Sequence, residues 1–244
     1  MSSHVLDNPA WAALAGPHAH FAERVGRAAR YPADMAPFHA LAETDDPQAW
    51  ADLAALVGPG GTASVRGVPK APTGWETVRT GHGVQLVDTG LRAGPDPEAV
   101  RLGPDDVPEI LDLVDRTEPG PYLPRTVDMG TYLGIRHHGR LIAMAGERLH
   151  PPGWTEISAV CTDPAHRGRG LATRLVRAVA AGIKERGERP FLHARATNAL
   201  HARATNANAI RLYESIGFTL RSRTVFSLLR PTGVPAAAVL EETA

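Results

Sequence analysis

A basic, glycine-rich turn between a strand and a helix holds the residues best suited to bind a ligand. These residues are Arg167, Gly168, Arg169, Gly170, Leu171, Ala172 and Thr173. The first amides of a helix lack partners within it, and the helix dipole puts partial positive charge there, so a pyrophosphate can accept several backbone hydrogen bonds. Glycines let the backbone approach such a ligand closely. We therefore expect an anion-binding turn; the alternative is a solvated basic turn that only caps the helix.

Two other phosphate-binding loops do not fit this turn. A dinucleotide-binding turn needs the pattern G-x-G-x-x-G, and its third glycine is replaced here by Thr173. A Walker A loop needs Gly-Lys followed by Ser or Thr, and the turn contains no such run. The segment is therefore not a nucleotide-binding loop of either kind.

The turn resembles the R/Q-x-x-G-x-G/A motif of the GNAT acetyltransferase superfamily, through Arg167, Gly170 and Ala172. The FR47-like branch is the most similar. In that superfamily the motif binds the pyrophosphate of acetyl-CoA, and the preceding strand pairs with the pantetheine arm through its backbone. The resemblance implies acetyl-CoA as cosubstrate and no metal. The strand residues that it places beside the arm are Val160, Cys161 and Thr162.

A second segment resembles the ending of the same superfamily, N-x-x-A-x-x-x-Y-x-x-x-G-F. It runs from Asn206 through Ala209 and Tyr213 to Gly217 and Phe218. The resemblance implies that Asn206 contacts the cofactor and that Tyr213 protonates the departing thiolate. A tyrosine with a pKa of about 10 can donate to a thiolate whose conjugate acid has a pKa near about 8.5. The alternative is that Tyr213 only packs in the core.

The acceptor amine must lose a proton, and Glu156 is the candidate base. It occupies the strand before the turn, where histone-acetylating members of the superfamily carry theirs. An ordinary glutamate, with a pKa of about 4.3, is too acidic for this role, so burial or a water relay would have to help. Glu147 is the next candidate, and His193 and His201 are further ones. The alternative for each glutamate is a solvated strand face.

A short sequence is duplicated just before the second motif: residues 193–199 recur as residues 201–207. Only one copy fits the superfamily, so we expect the other to form a loop or extra helical turns. The hypothesis is that Asn206 keeps the cofactor contact and that Asn198 belongs to the displaced copy.

The element pattern predicts a mixed α/β chain with a GNAT fold over residues 96–233 and a tail at 234–244. Strands and helices alternate there, and the cofactor is expected between two splayed parallel strands. The sequence of residues 1–95 predicts a smaller α/β region. It would contain a helix after Asp46-Pro47, followed by short strands. This region could be a degenerate GNAT-like half or an acceptor-side domain.

Composition narrows the class of partner only slightly. There are 26 Lys and Arg against 26 Asp and Glu, so no overall field favours nucleic acid or an anionic membrane. The single cysteine, Cys161, excludes an internal disulfide and a thiolate zinc site, and its apolar strand favours a structural role. No leader or membrane-spanning pattern is evident, which predicts a cytoplasmic protein.

These observations together predict direct acetyl transfer to a primary amine of a small molecule or peptide. Neither nucleic acid nor a membrane is expected as a partner, and the sequence leaves open whether the chain forms a homodimer. The alternative function is a non-catalytic acyl-CoA-binding or regulatory module.

Overall fold

The computed structural model describes residues 4–196 and 203–233. The helices are α1 (Pro9–Leu14), α2 (Pro47–Val57), α3 (Val107–Thr117), α4 (Leu171–Glu185) and α5 (Arg203–Ser215). The strands are β1 (Glu23–Val25), β2 (Ala28–Arg30), β3 (His39–Leu41), β4 (Ala63–Arg66), β5 (Trp75–Asp88), β6 (Val100–Leu102), β7 (Tyr132–His137), β8 (Arg140–Glu147), β9 (Trp154–Thr162), β10 (Arg189–Ala196) and β11 (Phe218–Pro231). The mixed α/β class predicted from the sequence is confirmed. In these ranges no helix has the length and apolar character to cross a membrane.

The main sheet has eight strands in the order β4-β11-β5-β10-β9-β8-β7-β6. Its strands pair antiparallel except for β9 and β10, which are parallel. Helix α4 is the connection between these two strands, as a parallel pair requires. The chain therefore has one parallel pair at the centre of the sheet, directly next to the glycine turn.

The N-terminal region contributes to this sheet. Strand β5 lies between β10 and β11, and β4 is the edge strand beyond β11. The predicted boundary near residue 95 thus divides one sheet, since β4 and β5 come before it in sequence and the other six strands come after it. Strands β1, β2 and β3 form a separate three-stranded sheet.

Each face of the main sheet has its own core. On one face, α4 and α5 pack on the strands through apolar residues that include Ile157, Leu175, Val179 and Leu192. On the other face, the N-terminal region packs through Tyr31, among others, against Phe191. Because successive strand residues point to opposite faces, Glu156 and His193 project away from α4.

Local sequence explains why the segment after the glycine turn forms a helix and where that helix ends. Helix α4 repeats its apolar residues at helical spacing, and it ends before Gly187, which has a φ of 76°. The buried residues of α4 are Leu171, Leu175, Val176, Ala178, Val179, Ala180 and Ile183.

Two elements differ in extent from the sequence prediction. The sequence predicts two strands over 75–80 and 84–88, whereas the structure has the continuous β5, because that strand is paired with neighbours on both sides. The sequence also predicts a helix from Ala209, whereas α5 begins at Arg203. The added helical turn contains most of the second copy of the duplicated sequence.

Candidate active site

Strands β9 and β10 separate at the centre of the sheet. Their pairing ends at Leu192 opposite Ile157, while β9 stays paired with β8 as far as Thr162 opposite Ala143. Within residues 4–196 and 203–233, no strand therefore pairs with the far edge of β9 over residues 158–162. An exposed strand edge of this kind can bind an extended, amide-bearing ligand through main-chain hydrogen bonds.

A β-bulge in β9 lies at the same level. Between the pairs Met144–Cys161 and Gly146–Ser158, β9 contains two residues where β8 contains one. The first of the two, Ala159, has a φ of 53°, a left-handed conformation that is uncommon for a residue with a side chain. Bulges bend a strand and are frequent beside active sites. The bulge is where β9 turns away from β10.

The glycine turn is exposed and leaves the first amides of α4 open. Gly168 and Gly170 have φ angles of 77° and 72°, and a Cβ at either position would meet nothing within 4 Å. No side chain caps α4, whereas Asp46 caps α2 by accepting from the amide of Gln48. The open amides and the helix dipole give this turn the chemistry of an anion site, so the residues present fit a pyrophosphate.

Side chains around the turn hold it in place. Asp163, at the end of β9, is ion-paired with Arg116 of α3 and accepts a hydrogen bond from the amide of Ala165 at 2.9 Å. The Nε of Arg167 donates to the carbonyl of Thr162 at 3.3 Å, and its side chain is exposed. The turn is thus tied to the sheet at its base while its basic side chains stay accessible.

Tyr213 lies on the α4 face, in the core cluster that contains Ile157 and Leu192. Its ring packs edge-on against Phe218, with centroids 6.1 Å apart. Burial raises the pKa of Tyr213 to about 12, and the neighbouring Cys161 adds to the effect. The phenol is therefore protonated at neutral pH, which is the state a proton donor needs.

Cys161 has the environment of a structural residue. It is buried among apolar side chains on the α3 side of the sheet. Burial raises the pKa of its thiol to about 11, so it is not a thiolate at neutral pH. Its backbone, together with that of Val160 and Thr162, is what this strand offers to a ligand.

Glu156 is fully buried and ion-paired. Its two carboxylate oxygens accept from Nη2 and Nε of Arg148 at 2.8 and 3.0 Å. Nδ1 of His193 lies 2.7 Å from Oε1 of Glu156. Burial alone would raise the pKa of Glu156, but Arg148 and His193 outweigh it and hold the pKa well below its usual range. A carboxylate in this state is a weak base, which argues against Glu156 as the direct proton acceptor.

His193 is the first residue of β10 beyond the last pair with β9, and a hydrogen-bonded chain holds its ring. Gln85 donates from Nε2 to Nε2 of His193 at 3.0 Å and to the carbonyl of Leu6 at 3.0 Å, and accepts from Arg221 at 2.8 Å. The network assigns the proton to Nδ1, facing Glu156. Burial lowers the pKa of His193, although Glu156 opposes this, and the ring is neutral at neutral pH.

The other candidate residues lie elsewhere. Glu147 is buried on the α4 face, where it pairs with Arg186 at 2.9 Å and accepts from the amide of Thr131 at 3.2 Å. Asn206 lies within α5, but its side chain, like the whole of Asn198 and His201, falls outside the described residues. The described part of the chain brings no three His, Cys, Asp or Glu side chains together in a way that could hold a metal ion.

Sequence reasoning missed two residues that hold Glu156 and His193 in place: Arg148 and Gln85. Neither belongs to a motif, and Gln85 comes from an N-terminal strand. The sequence does contain a signal for Gln85. Side chains alternate between the two faces along β5, and this alternation puts Gln85 on the same face of the sheet as Phe191. Its position opposite His193 depends on the strand order, which the sequence does not reveal.

Comparisons with known proteins agree with this architecture. Residues 132–227 match the family model described as FR47-like protein. The crystal structure of a putative acetyltransferase from the GNAT family, from Novosphingobium aromaticivorans, is 40% identical, with a TM-score of 0.82, and the match covers 94% of this chain and 100% of that one. The chain belongs to the GNAT acetyltransferase family, as the motifs predict. The likeness extends through the N-terminal region as well.

Two further relatives are more distant. The N-alpha-acetyltransferase RimI of Mycobacterium tuberculosis is 36% identical over 90 residues, which are 36% of this chain and 51% of that protein. The chain thus matches about half the length of this curated relative. A GCN5-related N-acetyltransferase from Kribbella flavida has a TM-score of 0.58 and 15% identity over 93% of this chain and 96% of its own, and shows the fold alone.

Proposed function

We propose that this protein transfers the acetyl group of acetyl-CoA to a primary amine of a small molecule or peptide. The observation that carries the proposal is the exposed, uncapped glycine turn of α4 beside the point where β9 and β10 separate. An anion site and an open strand edge, side by side, match a ligand with a pyrophosphate and an amide-bearing arm.

The residues that would hold the cosubstrate are those of the two motifs. Residues 167–173 surround the pyrophosphate, residues 160–162 pair with the arm through their backbone, and the family resemblance implies a further contact from Asn206. Gly168 and Gly170 leave room for this approach because neither carries a side chain.

Tyr213 supplies the proton for the leaving group. The neutral amine attacks the thioester carbonyl, the new C–N bond forms, the C–S bond breaks, and the sulfur takes a proton from the tyrosine hydroxyl. The high pKa of Tyr213 keeps that proton in place until the thiolate develops, and the tyrosinate regains a proton from water after the thiol has left.

His193, one of the further candidates from the sequence, takes the role of the base, and Glu156, the first candidate, supports it. His193 is neutral and stands where the strands part, so its Nε2 accepts the proton of the amine, directly or through water, once the amine or the water replaces Gln85 as its hydrogen-bond donor. Glu156 is a positioning residue, because its carboxylate keeps the proton of His193 on Nδ1.

Cofactor binding and turnover test the proposal separately. Calorimetry should detect CoA binding, and release of free thiol from acetyl-CoA over a panel of amines should exceed the background rate. Arg167→Gln should weaken CoA binding, since it removes an exposed cation from the turn. Arg177→Gln is the matched control, because Arg177 is an exposed arginine farther along α4. CoA binding without thiol release for any amine would favour a non-catalytic acyl-CoA-binding module, and absence of CoA binding would overturn the proposal.

A further inference from the structure

A small cleft opens on the face of the sheet opposite α4, beside the point where β9 and β10 part. It has a volume of about 50 Å³. Its walls include Phe38 from the N-terminal region, Arg66 from β4, His193 from β10 and Phe226 from β11. A cleft of this size holds roughly three to five waters, so it can take the polar end of a small molecule and not a folded chain.

Arg66 lies in this cleft as a partly buried cation without an acidic partner. Its Nε donates to the hydroxyl of Thr224 at 3.1 Å, and its Nη1 donates to the carbonyl of Leu6 at 3.1 Å. Both acceptors are neutral. Across residues 4–196 and 203–233 no Asp or Glu forms an ion pair with it, and its Nη2 has no hydrogen-bond partner.

The charges around Arg66 are already matched to one another. Glu156 is paired with Arg148 at 2.8 Å, and Asp7 is paired with Arg221 at 2.7 Å. His193 is neutral. Burial lowers the pKa of Arg66 to about 10, which still leaves it charged at neutral pH. The cleft therefore has one positive charge in excess.

Partial burial of a guanidinium that has no acidic partner costs free energy unless a ligand supplies the anion. The free Nη2 edge presents two N–H donors, which suit the oxygens of a carboxylate. The aromatic walls, Phe38 and Phe226, limit the space to a compact group and exclude water from the contact.

We propose that this cleft is the acceptor subsite and that Arg66 binds a carboxylate of the acceptor, so that the substrate is an amino acid whose amine is directed to His193. The inference rests on the proposed acetyl transfer and narrows its acceptor class. Arg66 is a specificity residue in this scheme. The N-terminal region is then the acceptor side of the enzyme, because it contributes β4 and most of the cleft wall.

The test compares matched acceptors. Thiol release is measured with a panel of amino acids, with their carboxamides, and with phosphoethanolamine as an amine that bears a different anion. For the wild type, kcat/KM for the best amino acid should exceed that for its carboxamide roughly ten- to a hundredfold, the range expected for a hydrogen bond to a charged group. A preference for phosphoethanolamine would overturn the carboxylate assignment.

Variants then connect the preference to Arg66. Arg66→Gln should raise KM for the amino acid and leave kcat/KM for the carboxamide unchanged, so the preference disappears. Arg66→Lys should retain part of it, since the charge remains. Arg79→Gln is the control, because Arg79 is an exposed arginine on β5. Thermal melting verifies that each variant folds.

A binding measurement separates this inference from the proposed function. Titration of the amino acid into the CoA-bound protein, followed by NMR, reports on the cleft even without turnover. If amino acids and carboxamides bind equally and Arg66→Gln changes neither, the inference is wrong while acetyl transfer to other amines still stands. If carboxylate-dependent binding occurs without thiol release, the proposed function fails and the subsite remains.

Discussion

The two faces of the sheet at the β9–β10 separation are built in different ways. On the α4 face, the proposed ligand-binding groups are the backbone amides of one turn, which adjacent residues form, and Tyr213 follows two elements later in α5. On the other face, Glu156, His193 and Arg66 come from three separate strands and are held by side-chain hydrogen bonds. A backbone site leaves a motif in the sequence, whereas a side-chain network assembled from distant segments does not.

The largest effect should come from the proton donor on the α4 face. Tyr213→Phe should lower kcat about 10²- to 10⁴-fold, because the thiolate would leave without general-acid help. CoA affinity, measured by calorimetry, should stay the same.

Tyr122→Phe is the matched control, since the hydroxyl of Tyr122 is buried without a hydrogen-bond partner in the described residues. Its turnover should equal that of the wild type. Equal turnover of Tyr213→Phe and Tyr122→Phe would remove the assigned role of Tyr213.

On the opposite face, Glu156→Gln should act mainly on stability. It leaves Arg148 charged and buried without its counter-ion, which should cost roughly 3–5 kcal/mol of unfolding free energy in urea titrations. The exposed pair of Glu76 and Arg230, at 3.1 Å, provides the comparison, and Glu76→Gln should change stability by about 1 kcal/mol or less. Similar costs for the two variants would contradict the buried network.

Low pH should weaken the fold through the histidines of the N-terminal face. Burial lowers the pKa of His18 to about 3 and that of His39 to about 4, from 6.5 when exposed. Below pH 6.5 the unfolded chain therefore binds protons that the folded chain does not, and stability falls as the pH drops from 6.5 towards 4. The slope should approach about 1.4 kcal/mol per pH unit for each histidine.

Urea titrations at pH 7, 6 and 5 measure this slope. His18→Gln should reduce the dependence of the unfolding free energy on pH by the contribution of one histidine. His82→Gln should not change it, because His82 is exposed. A slope that does not change in His18→Gln would show that other groups cause the acid sensitivity.

Much of the C-terminal half was predictable because its signals are local. The sequence predicts a strand over 154–162, which are the bounds of β9, and a helix from about residue 168 to 186, which α4 matches except at its ends. The glycine turn and Tyr213 follow from motifs. The order of the strands was not predictable, because β5 reaches its place between β10 and β11 through contacts with residues far along the chain.

The duplicated sequence shows this limit most directly. Arg195 and Ala196 of the first copy lie in strand β10, while the identical Arg203 and Ala204 of the second copy lie in helix α5. The sequence by itself determined the family, and it predicted the glycine turn as the cofactor site and Tyr213 as the proton donor, because each depends on a few residues close together. Only the tertiary structure decided strand or helix for the described parts of the two copies. Residues 193–196 are paired with β5, and residues 203–207 precede the apolar face that packs Tyr213 into the core.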